Sequence, residues 1–96
     1  MMVLITYDVE TQTNAGKKRL RRVAKLCENY GQRVQFSVFE CSLEPALWVE
    51  LRAKLLSAIN PDTDSLRFYQ LGANWERRIE HVGSKPTYNP EGPLIL

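Results

Sequence analysis

Hydrophobic and polar positions along the chain change period four times between residues 2 and 71, and each change marks a new element. Residues 2–9 are almost continuously apolar or β-branched until Asp8. The run is too short for a membrane span and has no helical period, and its Val, Ile, Thr and Tyr content fits a β-strand. Near-continuous apolarity predicts cover on both faces, as at the centre of a sheet. Residues 10–16 are polar and loop-like, with Thr13 or Asn14 placed to cap a helix. Leu20, Val23, Ala24 and Cys27 then recur at i, i+3, i+4 and i+7, which predicts an amphipathic helix over 17–30, closed by Gly31 as a left-handed C-cap. In 32–43, Val34, Phe36 and Val38 alternate with Arg33, Gln35 and Ser37 at period two. With no turn residue inside it, this segment reads as one long strand, or as two short strands bent near Gln35 to Ser37.

Pro45 opens a second helix over 45–59, with Leu47, Leu51, Leu55, Ala58 and Ile59 expected to face inward. Asn60-Pro61-Asp62 breaks it. Residues 64–71 form the next strand, with Leu66 and Phe68 on one face and Arg67, Tyr69 and Leu71 on the other. Residues 77–82 are weakly strand-like. Residues 83–93, rich in Gly and Pro, are expected to be irregular, and Leu94-Ile95-Leu96 form an apolar end. Those three residues are buried either on their own sheet or along a partner's sheet edge. Strands separated by amphipathic helices imply a sheet with helices on one face. That is a ferredoxin-like βαββαβ layer if 32–43 holds two strands, and a βαβαβ layer if it holds one. Apolar residues on both strand faces argue for dimerisation through the uncovered face.

Charge sharpens one element. The total is mild, 13 basic against 11 acidic residues, but Lys17, Lys18, Arg19, Arg21, Arg22 and Lys25 crowd the polar side of the first helix. Such a face is either simply solvated or a cradle for backbone phosphates, with Arg33 adding to it. Cys27 and Cys41 form no C-x-x-C pair and His81 is the only histidine, which argues against zinc. Ser-His-Asp sets, phosphate-binding glycine loops and dinucleotide fingerprints are absent. Reduced thiols, no signal-like N-terminus and no long apolar run lead us to expect a cytoplasmic protein without a membrane anchor. Asp8, at the end of a buried strand, is either a structural cap or a ligand and catalytic group of the kind sheets place at strand ends. One carboxylate is not by itself a metal site, since Mg²⁺ wants several oxygens and keeps its waters; a two-fold dimer would bring two.

Three stretches together carry a resemblance: Tyr7-Asp8-Val9, Tyr30-Gly31-Gln32-Arg33-Val34-Gln35-Phe36-Ser37-Val38-Phe39-Glu40, and Asp64-Ser65-Leu66-Arg67-Phe68-Tyr69-Gln70-Leu71. The chain resembles the CRISPR-associated family of small ferredoxin-like nucleases, the smaller of the two universal spacer-acquisition proteins. Its ending, Lys85-Pro86 and Gly92-Pro93-Leu94-Ile95-Leu96, looks like the subtype I-C subgroup. The resemblance implies a ferredoxin-like domain over 1–82 and a tail over 83–96 that adds a strand to the partner's sheet in a homodimer. It implies that Asp8 is catalytic and binds Mg²⁺, or another divalent ion such as Mn²⁺, at the dimer interface. Implied substrates are RNA or double-stranded DNA, and the implied partner is the CRISPR integrase subunit, which the dimer bridges while touching the spacer duplex. Lys17, Lys18, Arg19, Arg22 and Arg33 are the expected nucleic-acid contacts. Two other readings are a non-catalytic adaptor holding duplex DNA and the integrase, and a ferredoxin-like regulator binding a small effector.

Overall fold

The computed structural model describes residues 1–83, 87–88 and 94–95. Its elements run β1 (Met2–Asp8), α1 (Asn14–Tyr30), β2 (Gln32–Gln35), β3 (Val38–Ser42), α2 (Pro45–Ala58), β4 (Ser65–Gln70) and a single helical turn, α3 (Trp75–Arg78). The first six make the βαββαβ order of the ferredoxin-like layer, and their strands form one sheet ordered β2-β3-β1-β4 with antiparallel pairing throughout. Segment 32–43 is therefore two strands. Phe36 and Ser37 form the turn between them, with a register shift between Arg33 and Gln35.

Strand parity splits β1 between two environments. Val3, Ile5 and Tyr7 join Phe39 and Cys41 of β3 in the core beneath the helices, with Val23 and Cys27 of α1 and Trp48, Leu51, Leu55 and Ala58 of α2. Leu4, Thr6 and Asp8 point to the other face. On that face, residues 79–83 stand across a depression of about 680 Å³ from Val38 and Glu40. The expected cover on both faces of β1 is therefore only partial: the helix side is buried, whereas Leu4 and Thr6 on the other side are half-buried and Asp8 is exposed, because both long helices pack on one face.

Four local expectations are corrected. Helix α1 begins at Asn14 rather than residue 17, because the Thr13 hydroxyl accepts from the Gly16 N–H at 3.0 Å and nucleates the first turn. A Cβ at Gly16 would collide with the Glu10 carbonyl, so the loop passes this helix end closely. Gly31 is not left-handed; it is extended (φ −160°, ψ −162°). Its lack of a side chain matters for another reason: a Cβ there would run into the Cys41 sulfur and the Glu40 carbonyl. On α2, Leu47 is exposed and Trp48 takes the core position, its ring meeting Phe68 edge-on at 4.9 Å. The buried set at 48, 51, 55 and 58 is a cleaner helical stripe than one beginning at 47. Finally, 77–82 is not a strand: Trp75–Arg78 is helical and 79–82 lacks regular structure.

At the C-terminus, β5 (Thr87–Tyr88) and β6 (Leu94–Ile95) pair with each other in a separate antiparallel ladder. The expected tail strand over 83–96, and its pairing with a partner's sheet, otherwise lie outside the described residues. Among the described residues no helix is long and apolar enough to cross a membrane.

Candidate nuclease and nucleic-acid site

Asp8 closes β1 opposite Ser65 of β4 and is exposed, while its neighbours Tyr7 and Val9 are buried. The strand thus carries a carboxylate out of the core to the rim of the sheet. Asp8 joins no ion pair among the described residues. It lines a depression of about 390 Å³ together with Tyr7, Arg21, Arg33 and Phe36. Two guanidinium-bearing side chains therefore share a surface with the one free strand-end carboxylate, an arrangement that can receive a phosphodiester.

The wall of this depression is fixed by the β2–β3 turn. The Phe36 carbonyl accepts from the Tyr7 hydroxyl at 3.2 Å and from the Arg33 guanidinium. Burial pushes the Tyr7 hydroxyl above its usual range, with Arg33 opposing, so the phenol remains a donor. Arg33 also lies 4.8 Å from the Phe39 ring centre and pairs with Glu28 at 3.0 Å. Arg33 is thus committed to holding the turn, and any phosphate contact it makes competes with these bonds.

The basic side of α1 divides three ways. Lys18, Arg22 and Lys25 are exposed at i, i+4 and i+7, and form an outward stripe. Lys17 and Arg21, also exposed, lie on the flank that reaches the Asp8 depression, where Arg21 is a lining residue and Lys17 is not. Arg19 turns the other way. Its Nε donates to Asp64 Oδ2 at 2.7 Å, and its Nη2 approaches Glu10 Oε2 at 3.5 Å. Of the expected contacts, the depression brings together only Asp8 and Arg33; Lys17, Lys18 and Arg22 lie on α1 outside it, and Arg19 is bound in an acidic pair.

That pair is a structural hub no motif announced. The Asp64 side chain is fully buried and accepts from the backbone N–H of Asn60 (2.9 Å) and Glu10 (3.0 Å) and from the Thr63 hydroxyl (3.1 Å), besides Arg19. Arg19 is the main reason its carboxyl sits far below the usual range, burial opposing and the two backbone donors adding. Partial desolvation raises Glu10, but the Thr13 N–H and hydroxyl, helped by Arg19, outweigh it and the carboxyl is lowered. The loop that follows Asp8 is thereby tied to α1 and to the start of β4. The sequence hint was an Asp opening the stretch expected as a strand over 64–71; the strand itself begins one residue later, at Ser65. Arg21 and Phe36 were equally hidden, since adjacency to Asp8 arises only when the β2–β3 turn folds over the end of β1.

No cluster of three or more His, Cys, Asp or Glu side chains stands together among the described residues; Glu10, two residues on from Asp8, and Asp64, beside its β4 partner Ser65, are both engaged with Arg19.

Similarity to known proteins follows the fold closely. The chain is 64% identical over 96 residues to the CRISPR-associated endoribonuclease Cas2 of Chlorobaculum tepidum, covering all of both chains. It is 54% identical to the CRISPR-associated endonuclease Cas2 of Halalkalibacterium halodurans, again over both full lengths. The crystal structure of Streptococcus pyogenes Cas2 at pH 6.5 superposes with a TM-score of 0.76 at 63% identity, covering 86% of this chain and 100% of that one. A hypothetical protein from Thermus thermophilus matches at 30% identity and a TM-score of 0.72, covering 94% of this chain and 96% of that one. The family model described as CRISPR associated protein Cas2 matches residues 1–79, the whole of the sheet, both long helices and the Asp8 rim, so the chain belongs to the Cas2 family.

Proposed function

We propose that this protein is a CRISPR adaptation protein that works as a homodimer and cuts phosphodiester bonds in RNA or double-stranded DNA, with Asp8 as the catalytic carboxylate. The observation that carries this reading is the placement of Asp8 at an exposed strand end, in one depression with Arg21 and Arg33. The subtype I-C assignment rests on the sequence of the tail alone, Lys85-Pro86 and Gly92-Pro93-Leu94-Ile95-Leu96.

The described residues of one chain bring no three His, Cys, Asp or Glu side chains together for Mg²⁺ or Mn²⁺, so a second copy is part of the proposal: two Asp8 carboxylates across a two-fold axis would face one ion. A bound divalent ion supplies charge neutralisation at the phosphate and a more acidic water. The chain's own residues bind and orient the strand. Arg21 holds phosphate beside Asp8, and the tied loop after Val9 keeps the carboxylate at the rim. Substituting Asp8→Asn is expected to abolish divalent-dependent cleavage while the dimer mass by light scattering stays unchanged. Cleavage at the wild-type rate would remove Asp8 from catalysis.

The outward stripe of exposed Lys18, Arg22 and Lys25 on α1 favours a second reading, a non-catalytic adaptor that grips the spacer duplex and bridges integrase subunits. Here the outward stripe of Lys18 and Arg22, with Lys17 beside it, contacts backbone phosphates without reading bases. Reversing Lys18 and Arg22 to Glu should weaken duplex binding and lower the slope of log affinity against log salt by about 2, roughly one per lost phosphate contact. An unchanged slope would leave this face merely solvated.

A further inference from the structure

Phe36 has no place in the roles described so far. It is 88% exposed at the tip of the β2–β3 turn, the most exposed large apolar side chain among the described residues. An exposed ring on a loose loop would mean little, but this one stands on a fixed base. Its carbonyl is held by both Tyr7 and Arg33, and the adjacent Ser37 carbonyl accepts from the Tyr7 N–H at 3.1 Å, which ties the turn to β1. The ring's chain position is therefore set while its faces stay open. It rims the same depression as Asp8, Arg21 and Arg33. Arg21 enters none of the ion pairs of the described residues, so its charge is available, and Arg33 adds positive field at the turn's base.

A rigidly presented aromatic face beside unpaired positive charge matches the two halves of a nucleotide. The ring accepts a base by stacking, which every base allows, and the guanidinium accepts the adjoining phosphate. An apolar partner surface would use the ring but would bury the Arg21 charge unpaired, at a cost. We infer that Phe36 is a base-stacking residue and Arg21 its phosphate partner, together forming a nucleotide subsite at the Asp8 rim. The subsite rests on the reading of this rim as a nucleic-acid site, but not on Asp8 being the catalyst. Because a stacked base must leave its pair, the subsite engages unpaired nucleotides in preference to intact duplex.

The test uses full-length protein carrying Asp8→Asn, so that binding is measured without cleavage, with a short fluorescein-labelled single-stranded RNA followed by anisotropy across a salt series. Phe36→Ala should weaken binding about tenfold, the scale of one base–aromatic stack, and leave the salt slope unchanged. Phe36→Trp should bind at least as tightly as the parent, and Phe36→Leu should behave like Ala, since an aliphatic side chain offers no ring face. Arg21→Gln should lower the salt slope by about 1. Intact duplex DNA of the same sequence should lose little affinity from Phe36→Ala. The inference is overturned if Phe36→Leu binds as tightly as the parent, if Arg21→Gln leaves the slope unchanged, or if Phe36→Ala alters the molecular mass by light scattering, which would assign the ring to a contact between copies. If Asp8→Asn itself still cleaves, the catalytic assignment fails while these binding comparisons still stand.

Discussion

Removing the Asp64 carboxylate should damage this fold more than removing any exposed acid. In Asp64→Ala the Thr63 hydroxyl can turn to water, and Arg19, 22% exposed, keeps Glu10 and solvent. The backbone N–H groups of Glu10 and Asn60 are less fortunate, since both lose their acceptor in a partly buried site. Each orphaned donor costs roughly 1 kcal/mol or more, and the lost charge-assisted bond at 2.7 Å adds on the order of 1.5 kcal/mol. The sum is about 3.5 kcal/mol, near the lower end for breaking a buried pair because Arg19 is not fully desolvated. In a domain this size that lowers Tm by about 14–28 °C. Thermal unfolding by circular dichroism should be run at equal protein concentrations, because the proposed self-association would make Tm concentration-dependent. The sign with pH is a second check. Asp64 is held below its unfolded value, so its contribution is complete above about pH 4 and declines as pH falls below that. The gap between variant and wild type should therefore narrow in acid. A Tm within about 4 °C of wild type at pH 7, or a gap that stays constant into acid, would refute the hub.

Two further outcomes concern buried ionisable groups. Glu40, buried on β3, has its carboxyl raised by desolvation, with the charge of His81 opposing. A raised carboxyl costs stability as pH climbs past its ordinary value, so Glu40→Gln should melt higher than wild type at pH 7 to 8 and converge with it near pH 4; equal curves at both ends would show that the carboxylate is not disfavoured. Cys27 and Cys41 are free and buried, and burial pushes each thiol up to about 12, so neither should react with iodoacetamide at pH 8 until denaturant is added. Prompt labelling of the native protein would contradict that packing.

Much of the framework was legible before any coordinates. Helix α1 reads directly from Leu20, Val23 and Cys27 because a local 3.6-residue period needs no knowledge of distant chain. Strand β1 and its central position follow from near-continuous apolarity, and Asp8 stands out because a charge ends that run. The division of 32–43 into β2 and β3 was not decided by period, since Phe36 and Ser37 continue the alternation through the turn. It took the antiparallel pairing of β3 with β1, and the bonds from Tyr7 and Arg33 to the Phe36 carbonyl, to bend the chain there.

Sequence by itself determined which residues could carry chemistry: one strand-end carboxylate, one basic helix, no metal motif. Tertiary structure decided which of them can act together. Arg19 and Arg21 are two residues apart and chemically alike, yet the helical rotation between them sends Arg19 to the buried Asp64 and Arg21 to the rim of Asp8. Spacing along the chain predicts the rotation, but only the packing of α1 against the β4 loop on one side and the β2–β3 turn on the other decides what each guanidinium meets. Long-range placement is a property of the folded layer, because it depends on contacts such as Tyr7–Phe36 and Arg19–Asp64, 29 and 45 residues apart, which no local period records.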